Sequence, residues 1–406
     1  MARALNPHAS AVRTVISAEK EIGRGVALAA AGLYSNPQTP MRALLDDSSG
    51  SGGGAAAAAM PLPENLREGV KATVLANRDA SGGLIDATPA NMAALEAARA
   101  AEEPLILHSV QGTKTNLREP YPPVPANLLN AGGANDVLVV VDACQGRCSN
   151  EEIAGFLNDG AAVLVTGSKF YQGPPFSGAL LVPPQLTKAV AAAVDSGSAG
   201  SELPPLMQEY FSAADFPEAW QGWRSQLPQD ENNVGSALRW LGALAEMEAY
   251  HGAGTSTQRA QVSKAWAESV VAACHGAVEV FESNGSIVNI TVRKNGSSNS
   301  SSSSSSSGDL MSVPELKLLH KWLTMDLSSV LGDASASAPV FIGQPVEVAK
   351  DFGVVRIALG APDVRALLGD SEAVLATDRA VIAKINLVAN NFDRLCAHFG
   401  EPTIAR

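Results

Sequence analysis

Residues 137–183 read VLVVVDACQGRCSNEEIAGFLNDGAAVLVTGSKFYQGPPFSGALLVP. Four valines and one leucine run without polar interruption into Asp142. A run so short and so rich in β-branched residues reads as a strand covered on both faces. Ser149 followed by Glu152 is a capping box, which starts a helix reaching Leu157. Residues 161–166, AAVLVT, form the next strand. Apolar strands separated by helices predict a mainly parallel sheet with its chemistry at the carboxyl ends of the strands.

The pattern extends outward. Upstream, residues 14–18, 71–76 and 104–110 read as strands and 91–101 as a helix. Downstream, 232–250 reads as a long helix with Val234, Leu238, Leu241 and Leu244 on one stripe. Val288, Ile290 and Val292 alternate as in a half-buried strand, with 354–359 as its expected partner and 371–392 as a helix. The expected class is α/β: a mainly parallel large domain with helices on both faces, residues 1–255, and a smaller C-terminal α+β domain, residues 256–406. The tracts at 48–59 (SSGSGGGAAAAA) and 295–308 (NGSSNSSSSSSSSG) have no apolar anchor and read as disordered insertions.

The chain has 406 residues, room for two or three domains. Its net charge of −12 repels a polyphosphate backbone, which argues against a nucleic-acid partner. No apolar run reaches the roughly 20 residues that span a bilayer, so no membrane partner is expected. Lys20, Glu21 and Arg24 interrupt the early apolar stretch that a secretory signal would need. Four cysteines are too few for a disulfide scaffold, and Cys144 with Cys148 lacks a second pair for zinc, so no metal is expected. The expectation is a cytoplasmic enzyme-sized protein, with organellar import open should the N-terminus be incomplete.

Asp142 ends one buried strand, and Lys169 stands just past the next among glycines and prolines. Pyridoxal 5'-phosphate (PLP) needs both groups. Its aldehyde takes a lysine amine in a Schiff base. Its ring nitrogen needs a carboxylate to stay protonated, so that the ring can act as an electron sink. Singly, each residue has a plainer reading: Lys169 a surface lysine, Asp142 a turn cap, Gln145 a surface amide, Arg356 a salt-bridge residue, Gly23 and Gly25 a tight turn. Cys144 and Cys148 read as small half-buried thiols and His108 as a satisfied core histidine. Arg147 stands open between a place beside a phosphate and solvent. Together, Asp142, Gln145, Lys169 and the Gly/Pro-rich loop favour the cofactor.

The succession D-A-C-Q, T-G-S-K and G-P-P-F-S-G-A-L-L-V-P resembles the fold-type I PLP enzymes, in the class-V aminotransferase branch that also holds cysteine desulfurases and kynureninases. The resemblance implies an aspartate aminotransferase-like fold with a seven-stranded type of large-domain sheet. It implies Lys169 as the cofactor lysine, Asp142 as the ring-nitrogen partner, Gln145 as a donor to the phenolic oxygen, Cys144 against the ring face and Ser168 at the phosphate. Gly23, Arg24 and Gly25 lie where the family has its phosphate-binding loop, with Arg24 in place of the usual Ser or Thr. Thr113 and Lys114 fall in a segment resembling the one beside the ring. Arg356, in VVRIALG, resembles the arginine whose fork grips a substrate carboxylate.

The same resemblance implies an amino-acid substrate, an aminotransferase or a C–S or C–C lyase reaction, and a homodimer with shared sites. Residues 218–233, with Trp220, Trp223 and Arg224, are expected near the dimer interface. Persulfide chemistry is disfavoured: no cysteine stands between 308 and 356, where a desulfurase needs its nucleophile, and Cys274 and Cys396 lie in apolar, helix-like surroundings. Only 22 residues precede Gly23, so the expectation is an abbreviated chain or a truncated sequence. The competing expectation is a catalytically silent paralogue that keeps the fold for binding or assembly.

Overall fold

The strand ending in Asp142 lies inside a seven-stranded sheet. The structure, a computed structural model, describes residues 1–6, 8–18, 20–23, 26, 33–34, 60–61, 69–119, 137–197, 201–203, 207–229, 233–294 and 310–401. The expected insertions at 48–59 and 295–308, and Arg24 and Gly25, lie outside these residues.

The strands are β1 (Val12–Ser17), β2 (Leu33–Tyr34), β3 (Met60–Pro61), β4 (Val70–Leu75), β5 (Leu105–Gln111), β6 (Arg118–Glu119), β7 (Val137–Asp142), β8 (Ala162–Thr166), β9 (Gly178–Leu181), β10 (Val278–Asn284), β11 (Ile287–Val292), β12 (Gly343–Glu347) and β13 (Gly353–Ala358). The helices of eight residues or more are α1 (Thr88–Ala100), α2 (Asn150–Asn158), α3 (Pro184–Asp195), α4 (Val234–Gly252), α5 (Ser256–Ala273), α6 (Val313–Leu323), α7 (Ala361–Gly369), α8 (Ser371–Asn390) and α9 (Phe392–Phe399).

The large sheet has the order β4-β1-β5-β7-β8-β9. Its first five strands run parallel, β9 is antiparallel to β8, and β6 adds to β5. Helices cover both faces. Leu95 and Ala98 of α1 bury against Val15, Leu105 and Leu107. On α2, Ile153, Phe156 and Leu157 cover Val141 and Val163. Full burial of an aliphatic side chain such as Leu95, Leu105 or Val163 contributes roughly 1.5–3 kcal/mol. The capping box of Ser149 and Glu152 starts α2 as expected. Val110, Asp142 and Leu164 stand side by side across β5, β7 and β8, so three strands deliver their carboxyl ends to one place.

A second, antiparallel sheet has the order β10-β11-β13-β12, with β11 on β13 as expected. Its core includes Trp266 and Val270 of α5, Leu316 and Trp322 of α6, and Ile382 and Ile385 of α8. The alternation in β11 predicts one solvated face, but every residue of the strand is buried. The polar face is covered by the loop after β5: Asn289 Nδ2 donates to Thr115 O at 3.1 Å. Beside it, Asn116 Nδ2 donates to Asn284 O at 2.6 Å. Arg78 adds an ionic tie, its Nε on Glu21 at 2.6 Å and its two Nη atoms on Glu282 of β10 at 2.8 and 2.7 Å.

One further expectation is corrected. Trp220 and Trp223 are each 5% exposed and pack on Val190 and Val194 of α3, so they anchor the chain to itself rather than to a partner. The apolar stripe of α4 faces outward: Val234, Leu238, Leu241 and Leu244 are 51–62% exposed. Its inward face carries small residues instead, because the lysine loop lies directly against it.

Candidate functional site

Asp142 is half-buried at the end of β7. Its Oδ1 accepts the backbone N–H of Cys144 at 2.9 Å, an Asx-type contact that fixes the carboxylate at the strand end. Burial, and then the Asp142 charge, push the Cys144 thiol up to about 12, while the Lys169 ammonium pulls the other way. Carboxylate, thiol and amine therefore share one neighbourhood. Burial likewise pushes Cys148 and Cys274 up to about 11 and raises Cys396. All four thiols are held neutral, the opposite of what a sulfur nucleophile requires.

Lys169 is exposed, and no carboxylate among the described residues forms an ion pair with it. Its backbone is closely held. Gly167 N–H donates to Ser177 O and Gly173 N–H to Gly167 O, both at 2.9 Å. Thr166 Oγ1 lies 2.8 Å from Ser168 Oγ and donates to Ser177 O at 2.9 Å. Phe170 and Tyr171, immediately after the lysine, belong to the core of the second sheet, and Ala361 N–H donates to Phe170 O at 2.7 Å. A Cβ on Gly167 would stand 2.3 Å from Ala243 Cβ of α4, so glycine is what lets the helix approach. Gln172 and Phe176 adopt φ of 52° and 66°, the sparsely populated left-handed region. Two such residues within one short loop mark stored backbone strain of the kind that gathers at functional sites.

Gln145 is half-buried, and its Oε1 accepts from Arg147 Nη1 at 3.1 Å. It reaches the end of β5 because Gly112, at φ 102°, leaves room: a Cβ there would lie 3.1 Å from Gln145 Cβ. Thr113 has another partner than the one expected. It is 1% exposed, and its hydroxyl donates to Glu21 Oε2 at 2.6 Å. Burial alone would raise Glu21, but Arg78 and the hydroxyls of Thr113 and Thr115 more than offset it and hold the carboxyl below its ordinary range. Gly23 is exposed, and its carbonyl accepts from Val26 N–H at 2.9 Å.

Arg356, on β13, donates from Nη1 to Lys114 O at 2.9 Å and from Nη2 to Gln344 O at 3.3 Å. Its Nε is buried without an acceptor. The guanidinium thus lies against the loop after β5, which carries Thr113 and Lys114. Arg147, left open by the sequence, is half-buried. It donates from Nε to Ser286 Oγ at 2.7 Å and from Nη2 to Leu359 O at 3.1 Å, and stacks over Phe170. No sequence signal singled it out, because its acceptors come from two other parts of the chain.

Two cavities lie nearby. The larger, about 680 Å³, is lined by Arg147, Tyr171, Tyr250, His251 and Arg259 and does not take in Asp142 or Lys169. The smaller, about 390 Å³, lies over the second sheet beside Arg356, Asp363 and Asp378. Among the described residues no cluster of His, Cys, Asp or Glu could hold a metal ion, and no helix is long and apolar enough to cross a membrane.

No protein-family model matches the sequence, and no curated protein matches it. Solved structures resemble it in fold at low identity. Ureidoglycine–glyoxylate aminotransferase from Bacillus subtilis is 14% identical, with 97% of this chain and 81% of that one covered and a TM-score of 0.49. The glutamate decarboxylase domain of a diaminobutyrate–pyruvate transaminase and L-2,4-diaminobutyrate decarboxylase from Vibrio parahaemolyticus is 13% identical, with 94% and 59% covered and a TM-score of 0.45. Oryza sativa TDC, solved with PLP and tryptamine, is 12% identical, with 92% and 61% covered and a TM-score of 0.42. The chain thus spans under two thirds of the length of the last two.

Proposed function

We propose that this chain is a PLP-dependent enzyme acting on an amino acid, of the aminotransferase or C–S/C–C lyase type. The observation that carries the reading is the placing of Asp142 at the end of β7 and of Lys169 just past β8, where parallel strands end together. The residues present fit the group. Among the described residues Lys169 offers an amine without an ion-pair partner, Asp142 a carboxylate fixed by a backbone N–H, and Cys144 a small neutral thiol beside Asp142. Gln145 and Ser168 line the same strand ends. When bound, PLP supplies an electron sink for the carbanion at the substrate α-carbon.

In this reading Lys169 Nζ holds the cofactor, then takes and returns the α-proton as a general base. Asp142 keeps the ring nitrogen protonated. Arg356 orients the substrate carboxylate. Gly23, Arg24 and Gly25 are assigned to the phosphate. The division into a cofactor domain, 1–255, and a small domain, 256–406, belongs to the same proposal.

Assembly as a homodimer is part of it too, through the exposed face of α4 rather than through Trp220 and Trp223. That face is continuous with the lysine loop. Gly242 meets Pro174, and Arg239 lies over the 85%-exposed ring of Phe176. A second copy seated there would touch the loop that carries Lys169.

The test is chemical. Protein incubated with PLP and reduced with borohydride should carry the cofactor covalently on Lys169 by peptide mass mapping, and Lys169→Ala should carry none. Label on another lysine, or no label, overturns the assignment.

A further inference from the structure

We infer that the 680 Å³ cavity beside the candidate active site is a binding site for a small planar organic anion, an aryl phosphate or aryl carboxylate. Its volume falls within the roughly 300–1,000 Å³ of small-molecule pockets. Two guanidiniums line it, Arg147 and Arg259, and neither has a carboxylate partner among the described residues. Arg147 donates only to neutral acceptors: Ser286 Oγ, Gln145 O and Oε1, and Leu359 O. Arg259 is 9% exposed and donates to the carbonyls of Tyr250, His251 and Gly254. A buried charge without a counter-charge is costly, and an anionic ligand removes that cost. Burial, and then the neighbouring Arg356, already lower Arg147 to about 10, the direction expected of an uncompensated cation.

The apolar part of the ligand has its own place. Arg147 stacks on Phe170, Phe170 meets Tyr250 edge-on at 5.2 Å, and Arg259 lies 4.7 Å over Tyr250. Tyr171 packs within the same cluster. The two cations are thus separated by aromatic rings that line the cavity and give it an apolar wall. Of the carboxylates that line the cavity, Glu152 is engaged by Arg118 and the backbone of Ser149, and Glu268 by Lys264. Glu151, exposed in the first turn of α2, has no such ion pair among the described residues, and its charge acts on His251 and Arg259. The anionic group therefore seats inward at the arginines, with Glu151 opposing it at the rim.

The probe is phenyl phosphate, titrated calorimetrically into protein treated with PLP and borohydride and then freed of unbound PLP, so that any site at Lys169 is filled and the cavity is empty. One equivalent should bind with a Kd below about 1 mM, and benzyl alcohol, the neutral ring, at least about tenfold more weakly. Arg147→Gln should weaken phenyl phosphate at least about tenfold. Glu151→Gln should tighten it about threefold. Because Arg147 also holds Gln145, a second variant keeps every polar group: Ala260→Trp fills the cavity from the exposed side of α5 and should abolish binding at an unchanged melting temperature. No binding, or binding that neither Arg147→Gln nor Ala260→Trp changes, overturns the inference. Neither result bears on whether Lys169 holds PLP.

Discussion

Asp378 shows how one half-buried group sets a pH dependence. The indole N–H of Trp266, a residue 1% exposed, donates to Asp378 Oδ2 at 2.7 Å. Burial raises Asp378 to about 6, opposed next by the Trp266 hydrogen bond, with Asp363 adding to the rise and Arg379 acting against it. The folded chain therefore keeps a proton that the unfolded chain has lost between about pH 4 and 6, and stability falls as pH rises through that window. Asp378→Asn keeps an acceptor for Trp266 and removes the charge. Its melting temperature should exceed the wild type's by about 1–3 °C at pH 8 and equal it near pH 4. An equal difference at both pH values would mean that the carboxyl is not the origin. Glu21 has the opposite sign: held low by Arg78 and two hydroxyls, it stabilises the fold above its unfolded pKa, and that contribution is lost as pH falls through its folded one.

At the scale of elements, the contact between α4 and the lysine loop decides the position of Lys169. Gly167 and Gly173 both face Ala243, which is fully buried. Gly167→Val would force these backbones apart, at a cost of about 1–3 kcal/mol. It should also reduce borohydride-fixed PLP, because Lys169 stands two residues on. Gly155 is the control: nothing lies within 4 Å of a Cβ built there, so Gly155→Ala in α2 should be neutral or stabilising by up to about 1 kcal/mol. Denaturation midpoints and labelling yields read both outcomes. Equal effects from the two substitutions would show that the helix does not set the loop.

For the whole molecule, the two sheets are joined by a polar seam rather than by one shared apolar core. Arg78 bridges Glu21 and Glu282, Asn284 Nδ2 reaches Thr115 O at 3.0 Å, and Arg356 reaches Lys114 O. The exposed α4 face is a separate matter of assembly. Four large aliphatic side chains in contact with water along one helix make a patch of the kind that associates. Leu241→Glu places a charge at its middle. Sedimentation should show a dimer for the wild type and a monomer for the variant, each with the same far-ultraviolet circular dichroism. A wild type that sediments as a monomer would remove α4 as an interface.

What the sequence determined by itself was local. The VLVVV run, the Ser149–Glu152 box and the AAVLVT run each depend on residues a few positions apart, and the structure has β7, α2 and β8 there. The places of Asp142 at a strand end and of Lys169 just past the next strand were legible for the same reason, since a strand end follows from the strand. The tertiary structure alone decided what covers each apolar or polar face. Periodicity marked the stripe on α4 but not that glycines would draw the other side of the helix inward. Alternation marked β11 but not the Thr115 carbonyl that seals its polar face. Thr113 was found by position, yet its partner Glu21 lies 92 residues away. Arg147 has acceptors 139 and 212 residues distant. A side chain's spacing records which face it occupies; its partner is set by the chain topology, and these partners come from elements far apart in sequence.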